Sequence, residues 1–505
     1  MSRAFKNCRS WRESVGAHCE DMPKSPGGHG FVTGSLAGTL VTCDLICYGV
    51  ASPASFSSYL DMLGKHHGAS VVRYAHRGSG IPDRGDETAW FADGTAEHGT
   101  SWTRVWTRLW YRNLIRESCT ACGYHALERP GNLTIGDFWG IEGVIPGFAD
   151  AWGTSCIIAN DERGLALVQS AADAFELREA RVEDVANDAQ PMLRTLPPYD
   201  ASRRFFVLER DLGFERACRV FGLLGWKASI REAVRGVSRM LKTKHGDAGC
   251  GNESQSAPRG GKAALLGARS VIQEDAQPIA WDEPIDLPRA FAAKNRSDGV
   301  RRESSSGGVF HALASKVIER GGVVYGCAFD ERLHAVHIRC ETMADVCRCM
   351  GSKYTQSDLG DILTQVRDDL SAGKLVFFTG MPCQVAAVRT YTGDGDGAKT
   401  VERGGWRSAG PGDLQSAKRV TSQRECRTNL SDSPTLFSSP QACCGCTACA
   451  AACPVGAISM QADEHGFPYP AIEATRCIDC GTCLAICTFK TRTCSGEAGA
   501  NAKPA

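Results

Sequence analysis

Eight cysteines near the C-terminus stand at spacings that suit iron–sulfur chemistry. In QACCGCTACAAACPVGAISM, Cys443, Cys446, Cys449 and Cys453 follow C-x2-C-x2-C-x3-C, and Pro454 comes next. Cys477, Cys480, Cys483 and Cys487 repeat the spacing, with Thr488 in place of a second proline. Thiolates in this run hold [4Fe-4S] cubanes, and the fourth cysteine belongs to the other cluster. Three thiolates on a tight loop cover three corners of one cubane. The fourth lies too far along the chain and reaches the neighbour, while Pro454 turns the chain away. The expected sets are Cys443, Cys446, Cys449 and Cys487 for cluster 1, and Cys477, Cys480, Cys483 and Cys453 for cluster 2. Thr488 weakens the turn, not the ligation. Cys444 falls outside the spacing and is expected to be no ligand. C-x2-C pairs also serve structural zinc. Three cysteines at x2 intervals with a fourth at x3, twice over, favour two [4Fe-4S] clusters.

The rest of the chain must carry and position these groups. It has 505 residues, 43% of them hydrophobic, enough for two or three domains with their own cores. Lys plus Arg and Asp plus Glu both number 57, and the balance argues against nucleic acid or an anionic membrane as partner. The first twenty residues lack an apolar signal core, and no run approaches the roughly 18 apolar residues of a membrane span, so the expected location is cytoplasmic. The 25 cysteines are odd in number and clustered, which points to metal or redox use. Gly- and Ser-rich polar stretches divide the chain. Residues 1–35 are expected to be disordered, 244–280 and 391–440 to be linkers, and 491–505 a tail. Between them lie two ordered blocks, 36–243 and 281–390, and the cysteine-rich module 441–490. Both blocks alternate strands and helices, an α/β pattern with a helix-covered sheet. GTLVTCDLICYGV, GGVVYGCAF and KLVFF are expected strands. SPASFSSYLDMLGKH is a helix with Ser52 at N-cap and Pro53 at N1. SSSGGVFHALASKVIER is a helix with serine caps, and SDLGDILTQVRDDL sets Leu359, Ile362, Leu363, Val366 and Leu370 at helical spacing. AISMQADEHGFPYPAIEATR resembles the hairpin between the halves of ferredoxin-like modules.

RRESSSGGVFHAL, YGCAFD, GSKYTQSD and FFTGMPCQVAAVR resemble the N-terminal half of the coenzyme F-420 hydrogenase/dehydrogenase beta-subunit family. DLICYGVASPASFSSYL, SCTACGYHALERPGNLTIGDFWGI and WGTSCIIANDERG resemble its C-terminal half. The resemblance implies a mixed-sheet α/β catalytic core in two halves, with a small α+β bacterial ferredoxin-like domain attached. It implies an iron–sulfur flavoprotein oxidoreductase that carries FAD. Electrons would pass between the clusters and a deazaflavin such as coenzyme F-420 or another small electron donor or acceptor, with a ferredoxin or other redox subunit as partner. The alternative is a non-catalytic electron-transfer subunit of a larger complex. The order departs from the family, since the C-half precedes the N-half and the ferredoxin module comes last. Within the core this is circular permutation, which compact domains with neighbouring termini tolerate.

Several core residues then gain two readings. Ser305, Ser306, Gly307 and Gly308, with Ser304, open a helix whose free N–H groups suit a flavin pyrophosphate, or are plain N-capping. Ser352 and Lys353 follow Gly351. Lys353 would stabilise an anionic reduced flavin or a carboxylate, or is a solvated loop lysine. Cys383 in GMPCQ sits at a strand end, the crevice where open α/β sheets bind ligands. It is a cluster ligand, a redox thiol, or a buried apolar residue. Cys119 and Cys122 form a C-x2-C pair that Cys47 and Cys383 would complete. A third [4Fe-4S] cluster, a structural zinc and four uncoupled thiols are the readings of that set. Asp137 orients a ligand or caps a turn. No GxGxxG or GxxxxGK[ST] run occurs, so a Rossmann or P-loop site has no support.

Overall fold

The computed structural model describes residues 39–77, 87–187, 190–193, 196, 198–224, 279, 281, 286–394 and 436–489. The expected disordered start, the tail and nearly all of the two linkers lie outside the described residues. The first block supplies β1 (Leu40–Leu45), β2 (Val71–Ala75), β3 (Thr88–Phe91), β4 (Ala96–His98), β5 (Leu133–Asp137), β6 (Ser155–Ala159) and β7 (Phe175–Ala180). The second supplies β8 (Arg289–Asn295), β9 (Val323–Phe329), β10 (Ala335–Cys340) and β11 (Val376–Gly380), and the cysteine-rich module β12 (Ile458–Ala462) and β13 (Pro468–Ile472). The helices that matter here are α1 (Pro53–His67), α2 (Val105–Asn113), α3 (Glu162–Ser170), α4 (Asp200–Leu212), α5 (Val309–Glu319), α6 (Met343–Cys349), α7 (Ile362–Ser371), α8 (Pro382–Thr392), α9 (Ala448–Ala451) and α10 (Thr482–Ala485).

The fold is mixed α/β. Strands of both blocks share one sheet in the order β10-β9-β11-β1-β5-β6-β8-β7. The blocks interleave: β1 lies between β11 and β5, and β8 lies between β6 and β7. Strands β9, β11, β1 and β5 run parallel, while β10, β6 and β7 pair antiparallel to their neighbours. Strand β11 shows why KLVFF is apolar throughout. Phe377 packs on the face covered by α3 and α5, and Val376 and Phe378 on the face covered by α7 and α8. Alternate side chains point to opposite faces, so a doubly covered strand buries every residue. Each such phenylalanine contributes roughly 1.5–3 kcal/mol by burial.

Local signals explain the helix starts. The Ser52 hydroxyl accepts from the Ser55 N–H at 3.0 Å, and Pro53 occupies N1 of α1. The expected serine caps of α5 do not form. Gly308, in the left-handed region at φ +78°, precedes the helix with no side-chain cap. The reason is a close approach: a Cβ on Gly307 would stand 2.2 Å from the Ala293 carbonyl oxygen. The serine loop is pressed onto β8 and β6, and the Gly307 N–H donates to the Ser155 hydroxyl at 2.9 Å.

A buried ion pair locks β1 to the loop before β5. Arg129 donates to Asp44 Oδ1 through Nε at 3.0 Å and Nη2 at 2.5 Å, with both side chains almost wholly buried. The Gly131 N–H and the Thr134 hydroxyl complete the carboxylate's partners. Breaking one side of a buried pair strands a charge. Asp44→Asn therefore lowers stability by ~3–5 kcal/mol in urea unfolding of the anaerobically prepared chain, and a loss below about 1 kcal/mol would show that the pair is solvated.

Helix α8 packs on both β11 and β1, so β11, α8 and β1 form a parallel strand–helix–strand arrangement. The chain does not run through it, because β1 comes from the other end of the sequence. Yet Arg163 Nη1 bonds the Leu40 carbonyl at 3.4 Å and the Asp394 carboxylate at 2.6 Å, so the end of α8 and the start of β1 meet at one guanidinium.

The cysteine-rich module is a β12–β13 antiparallel hairpin with α9 and α10, as its sequence suggests. Its hairpin turn seats on α1. The His465 carbonyl accepts from the Ser52 hydroxyl at 2.6 Å and the Ala54 N–H at 3.2 Å, and the His465 ring stacks on Phe206 of α4 at 3.9 Å. No described helix is long and apolar enough to cross a membrane.

Candidate functional site

The tight spacing of the C-terminal cysteines makes their local geometry a matter of chain sterics. Cys443, Cys446 and Cys449 lie within electrostatic reach of one another, and Cys443 and Cys449 within reach of Cys487, the crossed partner. Cys453 lines one cavity with Cys477, Cys480 and Cys483, closed over by Pro454 and Ile472. The eight thiols are free of disulfides. A cavity walled by four thiols and apolar side chains fits a cubane, so the residues present suit the group their spacing implies. Among the described residues no three His, Cys, Asp or Glu side chains close on one ion position. A cubane does not ask for that, since each thiolate binds its own corner iron.

A second set of thiols gathers in the core. Cys47 follows β1, Cys119 lies within a short 3-10 turn that Cys122 caps at its C-terminal end, and Cys383 stands in the first turn of α8. The topology brings all four together: Cys47 and Cys122 lie within electrostatic reach of Cys119, and all three lie within reach of Cys383. Gly49, at φ +88°, lets the chain pass there, because a Cβ would stand 2.8 Å from Leu196 Cδ1 and 3.0 Å from Ile115 Cγ2, with the Cys119 Cβ at 3.3 Å. Burial pushes the Cys47 and Cys119 thiols up to about 12. The Cys444 hydrogen bond pulls Cys383 down, but burial carries it above the ordinary thiol range. Such thiols stay protonated unless a metal takes the proton's place. Cys444, outside the ligand spacing, bridges the two regions: its thiol hydrogen-bonds both Cys383 and Cys446.

The other sequence candidates meet at the same sheet edge, the carboxyl ends of β9, β11, β1 and β5. Asp137 ends β5 and pairs with Arg77 at 2.6 Å. Burial works against ionisation of Asp137, and the Arg77 charge outweighs it, holding the carboxyl below its ordinary range. Ser306 also hydrogen-bonds Asp137, and Arg77 Nη1 donates to the Ser305 carbonyl at 2.8 Å. The Ser352 N–H donates to the Ser305 hydroxyl at 2.6 Å, joining the two loops. Lys353 is no solvated loop lysine. Its ammonium donates to the carbonyls of Arg348, Cys349, Met350 and Gly351 at 2.9–3.3 Å, closing the end of α6. Burial lowers its proton affinity.

His76, just after β2, carries no sequence signal. It is 2% exposed, and among the described residues neither ring nitrogen has a hydrogen-bond partner. Phe56, Tyr74 and Tyr354 box the ring at centroid distances of 5.4, 4.9 and 5.0 Å. Burial first, then the Lys353 and Arg77 charges, hold the imidazole well below its ordinary pKa, hence neutral. An orphaned buried polar group costs roughly 1–3 kcal/mol, and this one lies beside the two loops that the flavin reading singles out.

Two family models match this chain. Residues 35–185 match the model for the C terminus of the coenzyme F420 hydrogenase/dehydrogenase beta subunit. Residues 442–491 match the 4Fe-4S dicluster domain. The matches are to an oxidoreductase-type family and to a domain of two [4Fe-4S] clusters. No curated protein and no solved structure matches the chain.

Proposed function

We propose that this chain is an iron–sulfur flavoprotein oxidoreductase that moves electrons between its two ferredoxin-type clusters and a flavin at the core sheet edge, and from there to or from a deazaflavin or similar small carrier. The observation that carries this reading is the convergence of Cys47, Cys119, Cys122 and Cys383 beside Cys444 and Cys446. A third [4Fe-4S] cluster held there would continue the series from cluster 2 through cluster 1 into the core. Residues 281–390 act as the family's N-terminal half in permuted order. The meeting of Leu40 and Asp394 at Arg163 supports this.

A flavin bound at this edge would couple one-electron cluster chemistry to two-electron transfer. Ser305, Ser306, Gly307, Gly308 and Ser352 offer small side chains that let its phosphates approach the backbone, while the Gly307 and Ser352 N–H groups are already given to the Ser155 and Ser305 hydroxyls. Lys353 places a positive charge at the end of α6. Arg77, fixed by Asp137, and the aromatic box exclude water. His76 offers one N–H and one lone pair, and is the side chain best placed to hold a proton. His76→Phe keeps the fold, with a melting temperature equal to or above that of the parent, because it removes two unsatisfied buried atoms. It lowers deazaflavin turnover by about 10²-fold. Unchanged turnover would remove His76 from the chemistry.

Steady-state assay of the anaerobically loaded chain with coenzyme F-420 and a low-potential donor tests the function. Turnover by the chain alone supports the enzyme. Clusters that reduce and reoxidise without turnover of the carrier would make it an electron-transfer subunit whose acceptor lies on a partner.

A further inference from the structure

We infer that Arg116 is a fixed buried cation that raises the reduction potential of cluster 1 and thereby draws electrons from cluster 2 toward the core. Its side chain is wholly buried. Its partners are neutral: Nε donates to the Cys443 carbonyl at 3.0 Å, Nη1 to Gln356 Oε1 at 2.9 Å, and Nη2 to the Pro468 carbonyl at 3.0 Å. The guanidinium lies 4.1 Å from the Tyr469 ring centroid and 5.4 Å from that of Phe467. Among the described residues no carboxylate pairs with it. Gly445, at φ +69°, makes room, since a Cβ there would stand 3.0 Å from Nη1.

A buried charge without a counter-ion is costly. Arg129, equally deep, follows the usual rule and pairs with Asp44. Arg116 departs from it where two groups of thiols approach. Its charge acts on Cys443 of cluster 1 and on Cys119 of the core set. A cubane with four thiolate ligands is an anion, and reduction adds one more negative charge. The clusters therefore supply the counter-charge that no described side chain supplies. A fixed cation in a low-dielectric site favours the more negative, reduced state. Cluster 2 lies in a separate cradle with the exposed Cys480 and without Arg116, so the two clusters are raised unequally. Two of these hydrogen bonds, to the Cys443 and Pro468 carbonyls, bind the ferredoxin-like module to the core, so the residue that tunes the cluster also fixes its distance from the core.

The inference rests on the proposed ligand set of cluster 1, and a redox titration of the full chain followed by electron paramagnetic resonance tests it separately. Two variants remove the net charge by different routes. Arg116→Met deletes it and keeps an apolar stem. Gln356→Glu keeps Arg116 and gives it the buried carboxylate it lacks, at the loss of the Gln356 Nε2 bond to the Cys444 carbonyl. Both shift the electron-sharing equilibrium between the clusters at least tenfold toward cluster 2, about 59 mV for one electron. Arg116→Lys keeps the charge and stays within threefold of the parent. An equilibrium unchanged from the parent's in both Arg116→Met and Gln356→Glu overturns the inference, since a charge at this place would then not act on the cluster. Absence of a cluster 1 signal in the parent would instead refute the ligand set.

Discussion

Cys487→Ser strips the cluster that stands nearest the core, not the one held by its own sequence run. The chain loses about four irons, and the surviving paramagnetic signal is that of cluster 2. The expectation follows from the crossed geometry: Cys487 faces Cys443 and Cys449, while Cys477, Cys480 and Cys483 share their cavity with Cys453. Cys453→Ser does the reverse and spares cluster 1. The two variants also differ in function. Loss of cluster 1 removes the link through Cys446, Cys444 and Cys383, so reduction of the core from an external low-potential donor falls by several orders of magnitude. Loss of cluster 2 leaves that link in place, and the rate falls less. Iron content with paramagnetic resonance on the two single variants checks the assignment. Retention of both signals in Cys487→Ser would contradict it.

Cys119→Ser/Cys122→Ser lowers iron from about twelve to about eight per chain and leaves both ferredoxin-type signals intact. Two ligands of four are lost, and the remaining Cys47 and Cys383 hold no cubane alone. The thiols left behind return to the protonated state that burial imposes, so the fold survives. Electron transfer into the core is abolished, although the module still accepts electrons. A parent that binds only eight irons, unchanged by the double substitution, would show that the four core thiols hold no cluster. The parent's zinc content decides whether they hold zinc instead.

What can be read from the sequence follows from the range of the interactions. Iron ligation at x2 and x3 spacings is local, so Cys443 to Cys487 announce themselves, and the hairpin between them does too. Ser52-Pro53 announces a helix start for the same reason. The shared sheet is legible as an alternation of strands and helices, but its order is not. Pairing of β1 with β11, and of β8 with β6 and β7, joins segments far apart in the chain, and only the family resemblance hints at it. The serine-rich start of α5 misleads, because Ser304 to Ser306 serve a loop pressed on neighbouring strands rather than a cap. Arg77, His76, Arg116 and Gln356 leave no signal. A lone arginine or histidine has no spacing pattern, and its partners come from distant elements. Cys444 looks like a bystander by its spacing; its place between Cys383 and Cys446 is visible only in three dimensions. Lys353 is legible as a cation but not as the closure of α6.

The account stands most directly on the metal and flavin content of the chain prepared without oxygen and with ample iron and sulfide. Quantitation of iron, zinc and flavin in one sample is expected to give about twelve irons, no stoichiometric zinc and about one flavin per chain, in a brown protein with flavin absorbance. A colourless, zinc-loaded chain without flavin would contradict it.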